Sequence, residues 1–267
     1  MTEWHASDYS RESALQEAMA EEVLGRLSLQ VRERILDVGC GDGKITAKIA
    51  RRVSDGSVIG VDPSRDMVAF ASKHFGSPVA ANLRFEVADA CQLPFENEFD
   101  LVVSFNALHW VTEQGAALQS IHRVLKPGGR GFLRFVPAGP RKSLEDVIED
   151  VRQEDHWASY FVGVRRPYID LTPEEYRGLA EVAGFHVVRL SVDDKAWDFQ
   201  SRDAFVAFCH ATFVEWTRFL PEGERRHFIL EVLDSYESVA AETPAEANTF
   251  KFYQMEVVLE AVSPSRD

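Results

Sequence analysis

The chain has 267 residues, of which 45% are hydrophobic, so it is long enough for one large domain with an apolar core. Its 43 acidic and 29 basic side chains leave a formal net charge of −14, which repels phosphate backbones and disfavours nucleic acid as a partner. Because no apolar stretch approaches the roughly 18 residues that span a bilayer and the start lacks a signal peptide, we expect a cytoplasmic protein without a membrane partner.

Strand and helix patterns alternate through the first half of the chain. Residues 11–29 carry apolar residues at helical spacing, and apolar or alternating segments with helical patterns between them follow. The predicted strands are 34–39, 58–62, 83–87, 99–105 and 131–136, and the breaker turn Lys126–Gly129 precedes the last of these. This rhythm is typical of a parallel, doubly wound α/β sheet.

The second half is richer in aromatic residues and is predicted to add a cap to that sheet. Residues 185–199 and 249–262 resemble a sixth and a seventh strand, and residues 202–240 resemble helices. We therefore expect a Rossmann-like, seven-stranded sheet that is mostly parallel, with an antiparallel last strand and helical, aromatic cap insertions. The predicted parts are an N-terminal helical lid (1–30), a cofactor-binding core (31–137), a substrate-side insertion (138–170), a core helix and strand (171–199), a helical cap (200–248) and a last strand with a tail (249–267).

A glycine-rich loop follows the first predicted strand, in the run Asp37-Val38-Gly39-Cys40-Gly41-Asp42-Gly43. Glycines allow a ligand to approach the backbone, and Asp62, 19 residues after Gly43, can accept hydrogen bonds from ribose hydroxyls. A dinucleotide site has a third glycine where this chain has Lys44. Since a carboxylate at Asp37 disfavours a pyrophosphate, the loop indicates a cationic ligand, whereas the plain alternative is a structural turn.

Residues Ile35 to Phe135, with the acidic loop, Asp62, Asp89 and Lys126-Pro127-Gly128-Gly129, resemble the core of class I S-adenosylmethionine-dependent methyltransferases. The resemblance implies S-adenosylmethionine as the cofactor. It also implies which residues contact the cofactor. Asp37, Gly39 and Gly41 would hold the methionine part, with Cys40 in the same loop, and Asp62 would bind the ribose. Asp89 and Ala90 would lie near the adenine amine, and Asn106 would contact the cofactor from the end of the fourth strand.

A narrower resemblance involves the segment Tyr9–Gln16, the run Asn106–Val111 and the aromatic C-terminal half. Together they are similar to small-molecule carboxyl methyltransferases of the trans-aconitate and juvenile-hormone-acid type. In that group the N-terminal segment closes over the cofactor. The resemblance implies that Gln16 contacts the cofactor or the substrate and that Trp110 lines the acceptor site. Equally, Gln16 could only cap its own helix, and Tyr9 could only pack against the lid.

Four other features are candidates for the acceptor side. His109 could be a general base or a neutral hydrogen-bonding histidine. Arg134, Arg165 and Arg166 could hold an anionic substrate, because arginine grips a carboxylate through two parallel bonds, although a solvated pair is the plainer interpretation for Arg165-Arg166. An aromatic run either lines an apolar pocket or forms ordinary core, and its members are Phe205, Phe208, Phe213, Trp216 and Phe219.

Cys40, Cys91 and Cys209 are far apart in the chain, so we expect reduced thiols, with Cys40 only packing. No histidine, cysteine and acid run has metal-ligand spacing, and we predict no metal. The favoured function is methyl transfer to a small-molecule acceptor, with carboxylate O-methylation slightly preferred. The alternatives are methylation of carbon or a hydroxyl of an apolar metabolite, with His109 as base, and a regulatory protein that binds the cofactor without turnover.

Overall fold

The computed structural model describes residues 14–77 and 79–262. Within these ranges the strands are β1 Arg34–Val38, β2 Ser57–Asp62, β3 Leu83–Val87, β4 Phe99–Phe105, β5 Leu125–Phe135, β6 Phe185–Asp198 and β7 Thr249–Ala261. The helices are α1 Ala14–Arg26, α2 Lys44–Arg52, α3 Arg65–Phe75, α4 Gln114–Val124, α5 Leu144–Val151, α6 Asp155–Ala158, α7 Pro173–Val182, α8 Arg202–Thr212, α9 Val214–Thr217 and α10 Glu222–Ala240. Short 3-10 turns lie at Ala90–Gln92, Leu108–Trp110, Ser159–Phe161 and Pro244–Glu246.

The strands form one seven-stranded sheet in the order β3-β2-β1-β4-β5-β7-β6 among the described residues. β7 runs antiparallel to both β5 and β6, and the pairs from β3 through to β5 are parallel. The predicted Rossmann-like sheet with an antiparallel last strand is therefore confirmed. Its strand order reverses between β1 and β4, and the crevice outside the carboxyl ends of these strands is where open parallel sheets bind ligands.

The predicted breaker turn Lys126–Gly129 lies inside β5 and does not precede it. Phe99 pairs with Leu125, but Leu101 already pairs with Arg130, so extra residues bulge out of the ladder between these two pairs. Gly128, with φ of 75°, forms the bend. The Pro127-Gly128-Gly129 segment thus forms a local bulge that interrupts the pairing with β4, and β5 continues on both sides of it.

Helices α5, α6, α8, α9 and α10 pack together with the Ser159–Phe161 turn in an aromatic cluster that we call the cap. Its largest members are almost completely buried, and they are Trp157, Phe205, Trp216, Phe228 and Tyr236. Full burial of a large apolar side chain stabilises a fold by about 1.5–3 kcal/mol. The cap therefore has a hydrophobic core of its own beside the two clusters that cover the faces of the sheet.

The antiparallel pair of β6 and β7, which we call the ribbon, extends beyond the rest of the sheet. β7 pairs with β5 only over residues 255–260, whereas it pairs with β6 from residue 249 onward. On the projecting part, Phe250 and Phe252 are buried in the cap cluster. Since alternate side chains share a face of a strand, this ribbon connects the sheet directly to the cap.

Candidate functional site

The loop after β1 folds tightly against the ends of two neighbouring strands. The amide groups of Gly39 and Cys40 both donate to the carbonyl oxygen of Val61, at 2.8 and 3.0 Å. Gly39 has φ of +77°, and a Cβ built on it would lie 2.2 Å from Cβ of Ala107. Only glycine satisfies both conditions, so the close approach of β1 to the segment after β4 depends on this residue.

Asp62 at the end of β2 is fixed by two backbone amides. Its Oδ2 accepts from the amide of Gly41 at 3.0 Å, and its Oδ1 accepts from the amide of Ser64 at 2.9 Å. The residue lines a cavity of about 880 Å³ at the carboxyl ends of the strands. An ionised carboxylate has about four lone-pair positions, so this group suits the paired hydroxyls of a ribose.

The structure places Asp37 and Cys40 beneath the loop and outside the lining of this cavity. The Asp37 carboxyl is buried and accepts a hydrogen bond from the hydroxyl of Thr46 at 2.7 Å. Burial raises the pKa of Asp37 to about 7, against the opposing effect of the Thr46 hydrogen bond. Burial also raises the pKa of the Cys40 thiol, so this cysteine is a packing residue and not a nucleophile.

The remaining predicted cofactor residues, which follow β3 and β4, do line the cavity: Asp89, Ala90 and Asn106. Asp89 is exposed, and its Oδ1 accepts from the amide of Cys91 at 2.8 Å, which caps the short turn after β3. Asn106 has φ of 54°, a conformation that is uncommon outside glycine and recurs at functional positions. Its Oδ1 accepts from Nε2 of the buried Gln254 at 2.9 Å, so β7 helps to orient it.

The N-terminal lid is described only in part. Tyr9 lies outside the described residues, and for Gln16 the structure gives its position in α1 but not its side chain. Two other residues of α1, Leu15 and Met19, line the cavity. The first helix therefore contributes apolar wall to the site.

His109 and Trp110 lie in the 3-10 turn after β4, and both line the cavity. His109 is buried, its Nδ1 has no hydrogen-bond partner among the described residues, and burial lowers its pKa to about 4. The imidazole is therefore neutral at physiological pH. Trp110 packs edge-on against Tyr168 and Trp216, with ring centroids 6.3 and 5.7 Å away, and forms part of the aromatic wall.

The far half of the cavity is lined mainly by aromatic side chains of the cap and the ribbon: Trp110, Phe208, Phe213, Trp216, Phe219, Phe250 and Phe252. Four of the five aromatic residues singled out in the sequence are among them, and Phe205 lies behind them in the cap core. Phe250 and Phe252 were not predicted as site residues, because nothing in their strand pattern distinguishes a wall of a cavity from ordinary core.

Arg165 and Arg166 both line the cavity, but their surroundings differ. Arg166 forms ion pairs with Asp146 and Asp170, each at 2.8 Å, and its guanidinium lies 4.0 Å above the ring of Tyr168. Arg165 is exposed and has no hydrogen-bond or ion-pair partner among the described residues. Of the two, Arg165 is the one whose donors are available to a ligand.

Arg134 has a different place from the one predicted for it. It is 1% exposed, lies outside the cavity lining, and forms ion pairs with Glu22 at 3.4 Å and Glu256 at 3.7 Å. Sequence alternation along β5 does not reveal that two acids from distant parts of the chain meet this arginine. The Arg134 guanidinium is therefore paired inside the protein and is not available to bind a methyl acceptor.

Glu145, in the first turn of α5, was missed from the sequence although it lines the cavity. Burial raises the pKa of this carboxyl to about 7. Its only sequence signal, an acid in the first turn of a helix, is ordinary for a helix start. The cavity thus contains a carboxyl group that is partly protonated at neutral pH.

Near the loop, the cavity is lined by glycines and the carboxyl groups of Asp62 and Asp89, while Arg165 and Arg166 lie at the cap side. A glycine loop and acidic strand ends at the switch point of a doubly wound sheet define a Rossmann-like cofactor-binding protein. The acidic lining fits a cationic nucleoside better than a pyrophosphate.

A family model described as "Methyltransferase domain" matches residues 35–129. Over 233 residues the chain is 28% identical to a candidate methyltransferase of Invertebrate iridescent virus 6, covering 87% of this chain and 85% of that protein. It is 33% identical over 165 residues to juvenile hormone acid O-methyltransferase of Drosophila melanogaster (57% and 54% covered). It is 26% identical over 242 residues to trans-aconitate 2-methyltransferase of Delftia acidovorans (86% and 88% covered).

Two solved structures share the fold. A candidate methyltransferase of Bacillus halodurans superposes with a TM-score of 0.67 at 17% identity, covering 92% of this chain and all of that one. Phosphoethanolamine N-methyltransferase 2 of Haemonchus contortus, solved with S-adenosyl-L-methionine, superposes with a TM-score of 0.60 at 18% identity, covering 92% and 53%. Residues 35–129 are a methyltransferase domain, and the comparisons support an S-adenosylmethionine-dependent methyltransferase of class I with S-adenosylmethionine as its cofactor. The non-catalytic alternative is thereby set aside.

None of the helices in the described ranges is long and apolar enough to cross a membrane.

Proposed function

We propose that this methyltransferase methylates a carboxylate oxygen of a small acid that has an apolar body. The observation that carries the proposal is that one cavity combines an aromatic lining with Arg165, a cation at its cap side that has no partner in the described part of the chain. An acid with an apolar body fits both features, because the body can fill the aromatic half while guanidinium groups hold carboxylates through charge-assisted hydrogen bonds. A concave cavity with a mainly aromatic lining and a few charged groups is typical of small-molecule sites, which supports a small-molecule acceptor.

The cofactor half is assigned to S-adenosylmethionine residue by residue. Asp62 accepts hydrogen bonds from the ribose hydroxyls, and Asp89 with Ala90 lies at the adenine amine. The loop around Gly39 and Gly41 gives the methionine part access to the backbone, and Asn106 borders the junction of the two halves. Asp37 acts from beneath, by shaping the loop through Thr46 rather than by direct contact.

When bound, S-adenosylmethionine supplies a methyl group on a positively charged sulfur. The task of the protein is then to align an acceptor with that methyl group and to exclude water. Trp110 and the cap aromatics exclude water from the acceptor half, and Arg165 holds the acid at its open end. An ionised carboxylate needs no base, which agrees with a site whose one histidine has a pKa near 4.

The relatives support this choice of acceptor class. Two of them are named for acids, juvenile hormone acid and trans-aconitate, although their identities to this chain are only 33% and 26%. The aromatic lining favours an acid with an extended apolar part over a compact tricarboxylate, because a second or third carboxylate would be desolvated against the aromatic rings.

The test is turnover with labelled S-adenosylmethionine against a panel of apolar acids, di- and tricarboxylates and phenols. Apolar acids should give the highest kcat/KM. Arg165→Ala should raise KM for the preferred acid roughly tenfold or more, the size of one lost charged hydrogen bond, with kcat little changed. Arg177→Ala, which removes an exposed arginine of α7 away from the cavity, is the matched control.

Methylation of a hydroxyl is the second candidate, and the unpartnered Nδ1 of buried His109 is the observation that favours it. A hydroxyl acceptor would need that nitrogen as a base, so phenols or alcohols would outperform acids and His109→Asn would abolish turnover. If His109→Asn instead keeps turnover with acids, the histidine serves the packing of the turn. A panel in which phenols alone react would overturn the carboxylate proposal.

A further inference from the structure

Two histidines and a glutamate from separate parts of the chain converge on the surface of the cap. His156 lies on α6, and Glu224 and His227 lie on α10; one ligand atom from each residue lies within 4.8 Å of the others. All three are at least partly exposed, and none of them lines the cavity. Methyl transfer therefore makes no use of this cluster.

The ring of His227 has a carboxylate at each nitrogen. Nδ1 lies 3.6 Å from Oε2 of Glu224, and Nε2 lies 3.1 Å from Oε1 of Glu231. Glu231 also accepts a hydrogen bond from Nε1 of Trp157, a fully buried neighbour of His156. Metal-binding histidines usually donate their second N–H to a carboxylate in this way, which fixes the ring and the tautomer. The chain from Trp157 through Glu231 thus leaves Nδ1 of His227 directed at Glu224.

We propose that His156, Glu224 and His227 form a Zn²⁺ site that ties α6 to α10. Imidazole nitrogens and a carboxylate oxygen are suitable ligands, with bonds of about 2.0–2.2 Å, so ligand atoms in a tetrahedral site are about 3.4 Å apart. The 3.6 Å between Nδ1 of His227 and Glu224 is close to this spacing. His156 completes three protein ligands with a small side-chain rotation, and water takes the fourth position.

A plain ion pair offers the competing explanation. A protonated His227 would satisfy both glutamates on the surface of α10, as charged residues three and four positions apart commonly do. That arrangement gives no role to His156, whose ring lies 5.7 Å from the ring of His227 and packs edge-on against Trp157 at 4.5 Å. His156 is therefore the residue on which the metal site and the ion pair make different predictions.

The test uses the full chain, freed of metal with a chelator and titrated with ZnCl₂ in a calorimeter near neutral pH, with Co²⁺ absorbance as an independent signal. We expect one Zn²⁺ per chain with a dissociation constant on the order of micromolar, and a rise in Tm when Zn²⁺ is added. His156→Ala and His227→Ala should each weaken binding by roughly tenfold or more. Glu231→Gln should weaken it less, since Glu231 only orients His227. His210→Ala, an exposed histidine of α8, is the matched control and should bind like the wild type.

Circular dichroism and turnover show whether each variant is folded, and His156→Gln replaces His156→Ala if the alanine variant is not. Absence of stoichiometric Zn²⁺ binding by the wild type would overturn the proposal. So would binding that is unchanged in His156→Ala or in His156→Gln, because the ion would then be held elsewhere. Zn²⁺ binding that leaves methyl transfer unchanged supports a site that stabilises the cap.

Discussion

The amide of Gly41 donates a hydrogen bond to Oδ2 of Asp62 at 3.0 Å, and this contact joins the loop after β1 to the end of β2. The other oxygen of the carboxylate accepts from the amide of Ser64 at 2.9 Å. The side chain that is proposed to bind the ribose is therefore also the one that holds the loop in position. A substitution of Asp62 should therefore weaken cofactor binding and disturb the loop after β1 at the same time.

Replacement of Asp62 by Asn puts an NH₂ group in place of one of the two oxygens that accept from the amides of Gly41 and Ser64. An amide keeps one acceptor oxygen, and its NH₂ group must then face one of the N–H groups of Gly41 and Ser64. We expect Asp62→Asn to weaken S-adenosylmethionine binding by roughly tenfold or more, because a charged hydrogen bond contributes about 1.5–3 kcal/mol. Calorimetry measures this change. Asp55→Asn, at an exposed acid, should bind normally, and equal affinities of the two variants would refute the assignment.

A methyl group at residue 39 should destabilise the loop. In Gly39→Ala the new Cβ would meet Ala107 at 2.2 Å, and φ of +77° would be strained for alanine. We expect a loss of about 1–3 kcal/mol in the free energy of unfolding, together with weaker cofactor binding. Gly115→Ala in α4 has no atom within 4 Å of its Cβ and should be neutral or stabilising by up to about 1 kcal/mol. Urea denaturation of both variants provides the comparison.

The half-buried carboxyl of Glu145 should make the stability of the protein depend on pH. Its pKa of about 7 in the folded protein lies above the usual glutamate value of 4.5, so between these pH values the folded state holds a proton that the unfolded state releases. Stability is lost as pH rises through this window and is level above it. Glu145→Gln removes the penalty, so the variant should gain about 1–3 kcal/mol over the wild type at pH near 8.

The difference between Glu145→Gln and the wild type should vanish towards pH 4.5. Glu181→Gln, at an exposed position of α7, should show no such pH-dependent gain. Denaturant midpoints of both variants and the wild type, measured between pH 4.5 and about 8, test the direction of this pH dependence. If Glu145→Gln instead becomes less stable than the wild type as pH rises, Glu145 is ionised and stabilised in the folded protein.

Arg134 should matter for stability and not for acceptor binding. Arg134→Met removes the fully buried partner of Glu22 and Glu256. Both acids keep Arg26, and Glu256 also keeps Arg189, so we expect a cost of about 1–3 kcal/mol, below that of a buried charge left alone. Arg189→Met removes a half-exposed partner of the same Glu256 and should cost about 1 kcal/mol or less. If Arg134→Met retains its stability but raises KM for acids, the arginine reaches the acceptor after all.

The sheet and its cofactor loop could be predicted because their signals are local. Short apolar runs that enter glycines or acids identify buried strands and their carboxyl ends, and strand order then brings Gly39, Asp62 and Asp89 together. The exact course of β5 was harder to predict. The Pro-Gly-Gly segment predicts a turn, but it does not predict that residues on both sides of the turn pair with β4.

The acceptor side could not be predicted to the same degree, because its residues are defined by contacts between distant segments. Arg134 looked like Arg165 in the sequence, yet only the folded protein places Glu22 and Glu256 beside it. Likewise, His156 and His227 have no metal-ligand spacing in the sequence and meet only when α6 packs near α10. Glu145 had no signal beyond that of an ordinary helix start.

The β6–β7 ribbon places acceptor-facing rings and core residues on one continuous strand. Phe250 and Phe252 line the cavity, while Met255, Val257 and Leu259 of the same strand are completely buried in the sheet core. A slip of one residue would move each set to the opposite face of the sheet, so this wall of the cavity is fixed by the register of the sheet. The cap helices carry no such constraint. Evolution towards a new acceptor would therefore proceed mainly through the helical walls, while the strand wall preserves the common shape of the substrates that can be accepted.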